Sequence, residues 1–330
     1  MKIKLVLFVQ LFLIQICFSQ TNSLFESHEL FQLRLRFDFR NYFNQDEDES
    51  IAHPALLSYH DSLGKEEKIR IHIRKRGNFR QDPNNCAISP FSLIFRKKHT
   101  QNTLFEDREK IKVVVPCNFI GEYKSAVIKE LLCYKIYELF SSCSYKTRIV
   151  SINFTDKQTG KAEMFDLTGF LLEPKTEMIS RICAEEVKEK NIPYSKFDSE
   201  ALLRFFLFQF LIGNSDWMIQ DNHNVKIIET KATHQFVPVA YDFDLALFCN
   251  APYLSKVRSV DDRMVKYQGV PIKIDIVNSV VSDIFTMQEK IEILIQKSEL
   301  ADKEKSSIMA FVNNFYDQLN EQEFINSISK

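Results

Sequence analysis

Glycine is scarce in this chain: seven residues in 330, with nine prolines and a single tryptophan. Neither G-x-G-x-x-G nor a Walker G-x-x-x-x-G-K-[ST] occurs, which excludes the glycine-rich dinucleotide and phosphate loops. A surplus of either charge is also missing, the formal net charge being -1. Binding along a phosphate backbone needs a basic surplus, so nucleic acid is excluded as a main partner. No C-x-x-C or Cys/His spacing points to zinc. Past the N-terminal segment no apolar run is long enough for a membrane helix. Phenylalanine, by contrast, is plentiful at 29 residues. With 45% hydrophobic and 26% charged residues the chain has the balance of a globular protein with a sizeable core.

The first residues read as a targeting segment. Met1-Lys2-Ile3-Lys4 is basic, Leu5 to Phe18 is apolar apart from two glutamines, and Cys17-Phe18-Ser19 offers a cleavage site before Gln20. A signal peptide over residues 1–19 is expected, leaving a mature protein that is periplasmic, cell-surface or extracellular. Ile16 precedes Cys17 where a lipoprotein box needs a small residue, which speaks against lipidation. Export permits disulfides. Of the six remaining cysteines, Cys86 and Cys117 flank predicted strands in one region and are the expected pair; Cys133 lies in an apolar helix face and reads as a buried small hydrophobe.

Hydrophobic alternation predicts strands within 28–40, over Lys68 to Arg76, Phe91 to Phe95, Ile111 to Val115, Arg148 to Phe154 and Phe165 to Leu172. Tyr123 to Phe140 reads as a helix. The acidic run at 46–49 reads as a solvated loop. After Glu173-Pro174 the pattern turns helical: a helix over Glu177 to Glu189, then an almost wholly apolar one capped by Asp198 or Ser199 and ended by Gly213. Val225 to Ile228 and Phe236 to Ala240 read as short strands, and the chain is helical from Ile276. The expected organisation is an N-terminal strand and loop extension (20–65), a β-rich lobe with one long helix (66–173) and a helical lobe (174–330).

Two acidic clusters carry the chemistry. The first is Gly213-Asn214-Ser215-Asp216-Trp217 with His223-Asn224; the second is Tyr241-Asp242-Phe243-Asp244. One carboxylate that orients a hydroxyl, then an amide and a second carboxylate that hold Mg²⁺ on phosphates, is what phosphoryl transfer requires. Asp216 is the candidate catalytic base; Asn224, Asp242 and Asp244 are the candidate metal ligands, with Asn222 competing for the amide role. An extended backbone would put both carboxylates of Asp242-Phe243-Asp244 opposite Phe243. Each has a plainer explanation: an Asx-turn for Asp216, a strand start for Asn224, structural hydrogen bonds for Asp242 and Asp244, and packing for His223 and Trp217. In the first half Lys112, on a strand, and Glu130, on the long helix, are the candidate cation and its acidic partner. Arg76, in the basic turn with Arg74, Gly77 and Asn78, is a further candidate for phosphates, unless this strand is only a charged sheet edge.

At these residues the chain resembles the CotH kinase family, typified by spore-coat protein H, and more closely its exported Bacteroidetes-type members. The likeness spans roughly 68 to 270. It rests on Arg74-Lys-Arg-Gly-Asn-Phe-Arg80, Lys110-Ile-Lys112-Val-Val-Val-Pro-Cys117 and Ile128-Lys-Glu130-Leu-Leu-Cys-Tyr134. It continues in Gly169-Phe-Leu-Leu-Glu173, Ile212-Gly-Asn-Ser-Asp216-Trp217, His223-Asn224 and Pro238-Val-Ala-Tyr-Asp242-Phe-Asp244, with Arg263 and Gly269 less specific. The resemblance implies an α+β, divergent two-lobed protein-kinase-like fold, with a β-rich N-lobe and a mostly helical C-lobe. It implies ATP with Mg²⁺ or Mn²⁺ as cofactors and protein Ser/Thr hydroxyls as acceptors. Two departures stand out: Asp216 and Asn224 are eight residues apart rather than five, and no glycine-rich loop is present. An inactive scaffold relative, a D-x-D glycosyltransferase at Asp242-Phe243-Asp244 and a purely structural binding module remain as alternatives.

Overall fold

The computed structural model describes residues 23–43, 51–77, 79–82, 84–160, 162–257 and 266–330. The expected signal peptide, the acidic run at 46–49, Asn78 and Arg263 lie outside the described residues.

Seven strands of the first half form one closed barrel. They are β1 (Phe31–Phe37), β2 (His53–His60), β3 (Glu66–Lys75), β4 (Phe91–Ile94), β5 (Lys110–Val114), β6 (Thr147–Asp156) and β7 (Ala162–Leu172), in the order β1-β2-β3-β4-β5-β7-β6. Alternation decides which side faces in: Phe31, Leu33, Leu35 and Phe37 of β1 are buried, while the residues between them are exposed. Ile69, Ile71 and Ile73 of β3 do the same across the register. Aromatic rings fill the interior, Phe154 standing edge-on to Phe37 at 5.4 Å. β1 pairs antiparallel with β2 and parallel with β6, and this parallel seam closes the barrel. At the β5–β7 seam a Cβ on Gly169 would lie 2.2 Å from the carbonyl oxygen of Val114. Only glycine lets the two backbones approach so closely.

Two single-turn helices, α1 (Phe39–Tyr42) and α2 (Lys97–Thr100), lie in barrel connections. The long helix α3 (Gly121–Phe140) runs between β5 and β6 and is buried on most faces, Glu130 included. Beyond the barrel come α4 (Lys175–Arg181), β8 (Ala184–Val187), α5 (Ser199–Leu211), β9 (Val225–Thr230), β10 (Phe236–Ala240) and α6 (Leu254–Val257). The chain ends in α7 (Ile274–Phe285), α8 (Gln288–Gln296), α9 (Asp302–Asn320) and α10 (Gln322–Ile328). β10, β9 and β8 form an antiparallel sheet in that order. α5 is the hub of this half: the Asp198 carboxylate caps it by accepting the Ala201 N–H at 2.8 Å. Phe205, Phe206 and Phe208 are fully buried in it. Gly213 follows at φ +61°, and a Cβ there would meet Phe311 at 2.9 Å and Leu247 at 3.0 Å.

This architecture corrects the sequence reading. The expected two-lobed kinase-like fold with a mostly helical C-lobe does not hold. The strands close into a mixed barrel, and the second half has its own three-stranded sheet among the helices. Residues 20–65, read as an extension, supply two of the barrel's staves. The basic strand β3 is paired on both sides and is no edge. The helix expected over 177–189 is the short α4 followed by β8. Cys183 takes φ +51°, which ends the helical path, and Ala184 to Val187 pair with β9. No helix among the described residues is long and apolar enough to cross a membrane.

Candidate functional site

Asp216 is built into the loop that leaves α5. Asn214, only 1% exposed, anchors the loop: its amide donates to the Gln209 side chain at 3.0 Å, and its Oδ1 accepts the Asp216 backbone N–H at 3.0 Å. The Trp217 indole N–H donates to the Asn214 carbonyl at 3.0 Å, and its ring packs edge-on to Phe205 at 5.0 Å. Trp217 is therefore a packing residue. Met218 and His223 exchange two backbone hydrogen bonds of 3.0 Å, folding the chain back so that residues 223 and 224 return to Asp216. His223 Nε2 lies 2.9 Å from Asp216 Oδ1. The Asn224 amide donates to Asp216 Oδ2 and to the Asp216 carbonyl, each at 2.8 Å. Both carboxylate oxygens are thus held, and each keeps a lone pair for an incoming hydroxyl. Asn222 points elsewhere, donating to the Glu189 carbonyl at 3.2 Å. Asn224, not Asn222, is the amide beside Asp216. It reaches that place at φ +50°, a conformation asparagine tolerates.

The second cluster lies one residue past β10. The Tyr241 N–H donates to the Asn224 carbonyl at 3.2 Å, which joins the two clusters directly. Asp242 stands at φ +66°, so the expected extended run through Asp242-Phe243-Asp244 does not form. The strain is held in place by the Tyr134 hydroxyl, which accepts the Asp242 N–H at 2.9 Å, and by Phe243, buried 4.6 Å from the Tyr134 ring. Asp242 is exposed and Asp244 half-buried. After Asp244 the turn is tied back to the end of α5: Leu247 N–H donates to the Gly213 carbonyl at 3.2 Å, and Phe248 N–H to the Ile212 carbonyl at 3.1 Å. Asp216 and Asp244 are fixed to the same helix end.

Beneath Asp244 lies a buried charge group whose cation the sequence did not single out as a site residue. Arg80, 8% exposed, brings Nη1 to 3.8 Å from Asp244, donates from Nη2 to the Val115 carbonyl at 2.6 Å and sits over the Tyr253 ring. The Tyr253 hydroxyl donates to Asp244 Oδ2 at 2.9 Å. Burial, and then the Asp242 charge, push the Asp244 carboxyl up to about 6, against the pull of Arg80. Burial and then Asp244 push Glu130 well above the ordinary carboxylate range, with Arg80 opposing. The predicted pairing of Lys112 with Glu130 is absent; the cations that act on Glu130 are Arg80 and Arg76.

Lys112 instead faces a cleft of about 710 Å³ lined by Lys110, Lys112, Tyr145, Glu173, Lys226 and Tyr241, among others. The lysines at 112 and 226 both lie over the Tyr241 ring, at 5.9 and 5.3 Å. Protein surrounds Lys112 although water reaches it through the cleft. That enclosure, followed by the charge of Arg76, pushes its ammonium down to about 8, while Asp242 pulls the other way. Burial and the charges of Arg74 and Arg76 lower Lys110 as well. Arg76 keeps a buried Nε without a hydrogen-bond partner.

The site is therefore a basic cluster (Arg76, Lys110, Lys112, Lys226) abutting an acidic one (Glu130, Asp242, Asp244), with Asp216 and Asn224 beside the latter. Among the described residues no three His, Cys, Asp or Glu side chains form a ready metal cage. The donors that fit a hard cation are the two carboxylates of Asp242 and Asp244, whose mutual repulsion a cation would relieve, and the Asn224 amide oxygen. That set suits an ion that keeps several waters, as Mg²⁺ does. Sequence reasoning missed Arg80, Tyr134, Tyr253 and Lys226, whose roles depend on contacts remote along the chain. The chain matches no protein-family model and no curated protein sequence.

Proposed function

We propose that this chain is an exported phosphotransferase that moves the γ-phosphoryl group of ATP to Ser or Thr hydroxyls of a protein substrate, using Mg²⁺ or Mn²⁺. The proposal takes its reaction from the likeness of the motifs to the CotH kinase family and rests on the site rather than on the fold. One observation carries it. Two lysines, Lys110 and Lys112, lowered by enclosure and neighbouring cations, abut two carboxyls, Asp244 and Glu130, raised by enclosure and neighbouring carboxylates. A metal–nucleotide complex supplies the complement of both, an anion for the first and a cation for the second.

In this reading Lys110, Lys112 and Lys226 bind the phosphates along the cleft, with Arg76 supporting them, and the rings of Tyr145 and Tyr241 flank the nucleoside. Asp242, Asp244 and the Asn224 amide oxygen would hold the divalent ion, which when bound offsets charge on the transferring group. Asp216 orients the acceptor hydroxyl and takes its hydrogen, while His223 and Asn224 fix the carboxylate's rotamer. Calorimetric titration with ATP and Mg²⁺ or Mn²⁺ tests the reading: the wild-type protein binds, and Lys112→Met and Asp242→Asn lose affinity at least tenfold. A protein that binds no nucleotide with either cation ends it. The absence of a Lys112–Glu130 pair favours one second reading, a nucleotide-binding scaffold without transfer. Binding without phosphorylation of any acceptor selects it.

A further inference from the structure

Six cysteines follow the expected signal peptide. Cys86 and Cys117 are disulfide-bonded, the pairing expected from sequence. Cys143 is partly exposed and Cys183 exposed. The remaining two, Cys133 and Cys249, are 116 residues apart in sequence yet face each other in the core, both fully buried, with their sulfurs 3.9 Å apart. Cys133 lies one turn after Glu130 on α3, so the two side chains share a helix face. Cys249 closes the turn that begins at Asp244, its N–H donating to the Ala246 carbonyl at 3.0 Å.

We infer that Cys133 and Cys249 are a second disulfide site, one that fastens the helix carrying Glu130 to the turn carrying Asp242 and Asp244. The bonded sulfurs must close from 3.9 Å to about 2.05 Å. Rotation of the two facing side chains about Cα–Cβ is the movement that brings the sulfurs together. The local hydrogen bonding permits it. The Cys249 thiol donates to the Phe243 carbonyl at 3.1 Å, and that carbonyl also accepts the Ala246 N–H at 2.9 Å, so it stays satisfied once the S–H is gone.

The chemistry is a thiol–disulfide exchange with a protein or small-molecule disulfide as oxidant. One cysteine thiolate attacks the oxidant's disulfide and forms a mixed disulfide, releasing one oxidant thiol. The second cysteine thiolate then attacks the mixed disulfide, forming the Cys133–Cys249 bond and releasing the other. Two protons leave the cysteine thiols and two electrons pass to the oxidant. Once the core has closed, exchange is slow: both sulfurs are inaccessible, and burial with the adjacent Cys133, Glu130 and Asp244 holds the Cys249 thiol well up. The bond therefore forms while the chain is still open to the oxidant and is then shielded from reductant.

The placement has a purpose in the fold. Arg80, Cys117, Glu130, Asp244 and Tyr253 pack together with no room for a water molecule between them. Cys117 of the Cys86–Cys117 bond lines this group, and a Cys133–Cys249 bond would tie the helix carrying Glu130 to the turn carrying Asp244. Two carboxyls that repel each other are then held together by covalent bonds rather than by charge alone. The inference does not depend on the reaction proposed above.

Non-reducing peptide mapping tests it. Mature protein is produced in an oxidising compartment, and the Cys86–Cys117 linkage is verified in the same digest as an internal control. It is then denatured with an alkylating agent present. The expected result is a linked peptide pair joining Cys133 to Cys249, with alkylation confined to Cys143 and Cys183. Alkylation of both Cys133 and Cys249 in material whose Cys86–Cys117 bond is intact overturns the inference. A second arm uses the Cys133→Ala/Cys249→Ala protein. Its 242–249 amides should exchange hydrogen at least tenfold faster, while the barrel amides stay at the wild-type rate. Because that variant also removes two buried sulfurs, Cys86→Ala/Cys117→Ala protein must show the same acceleration between its oxidised form and the form reduced under denaturant and refolded with reductant. Equal protection in those two forms also overturns it.

Discussion

Replacing Arg80 by methionine is the sharpest test of the buried charge group. The guanidinium is 8% exposed, lies 3.8 Å from Asp244, donates to the Val115 carbonyl at 2.6 Å and counters the charge on Glu130. Methionine keeps much of the apolar stem and removes the charge. Breaking a buried ion pair from one side costs about 3–5 kcal/mol, because the partner is left uncompensated. The Asp244 contact is longer than a hydrogen bond, which points to the lower end of that range, about 3 kcal/mol. An exposed pair such as Lys65–Glu67 would cost far less, because solvent screens it. The penalty must also depend on pH. Asp244 and Glu130 already have folded pKa values raised above their unfolded ones, and loss of Arg80 raises them further. The folded variant then binds more protons than the unfolded chain, so its stability falls as pH rises through the raised values. Urea unfolding followed by Trp217 fluorescence should show a larger loss at pH 8 than at pH 5. Adding Glu130→Gln to Arg80→Met should recover part of the loss at pH 8. A penalty under 1 kcal/mol, or one that is the same at both pH values, would refute this account of the cluster.

Other outcomes follow from the same geometry. Asn224→Ala should cut transfer by about a hundredfold, since it frees the Asp216 carboxylate and removes an oxygen donor, whereas Asn222→Ala should leave transfer within about threefold. Steady-state rates on one acceptor compare them. Nucleotide affinity should fall as pH rises through about 8, where Lys112 loses its proton, and Lys112→Met should flatten that profile. Because the folded pKa of Lys112 is depressed, the unfolded chain holds the extra proton above that pH, so stability of the nucleotide-free protein should rise slightly over the same window. Gly169→Ala should destabilise the barrel by about 1–3 kcal/mol or prevent folding, because its Cβ would collide with the Val114 carbonyl; thermal unfolding measures it.

Much of the barrel was legible one strand at a time. β1, β3 and β6 show clean alternation, and the pleat alone sets which residues face inward. Closure was not legible. It depends on the parallel β1–β6 pairing and on β2, which opens His53-Pro54 and mixes buried with half-buried positions. The site divides in the same way. Asp216, Asn224, Asp242 and Asp244 could be picked out because each cluster is local and the β9–β10 hairpin brings the two together. Glu130 and Lys112 were read as partners from their types, yet the barrel aims Lys112 into the cleft beside Tyr241 and leaves Glu130 under Arg80. Arg80 itself was invisible as a site residue, since its meaning comes from Asp244 and Tyr253, more than a hundred positions away.

The central claim, phosphoryl transfer that depends on Asp216, has one most direct measurement. Mature wild-type and Asp216→Asn proteins are incubated with ATP and Mg²⁺, alone and with exported proteins from the source cell, and phosphopeptides are mapped by mass spectrometry. The account predicts phosphate on Ser or Thr with the wild type and none with Asp216→Asn, both proteins binding nucleotide equally. No phosphate with the wild type, or equal labelling by the two proteins, would contradict it.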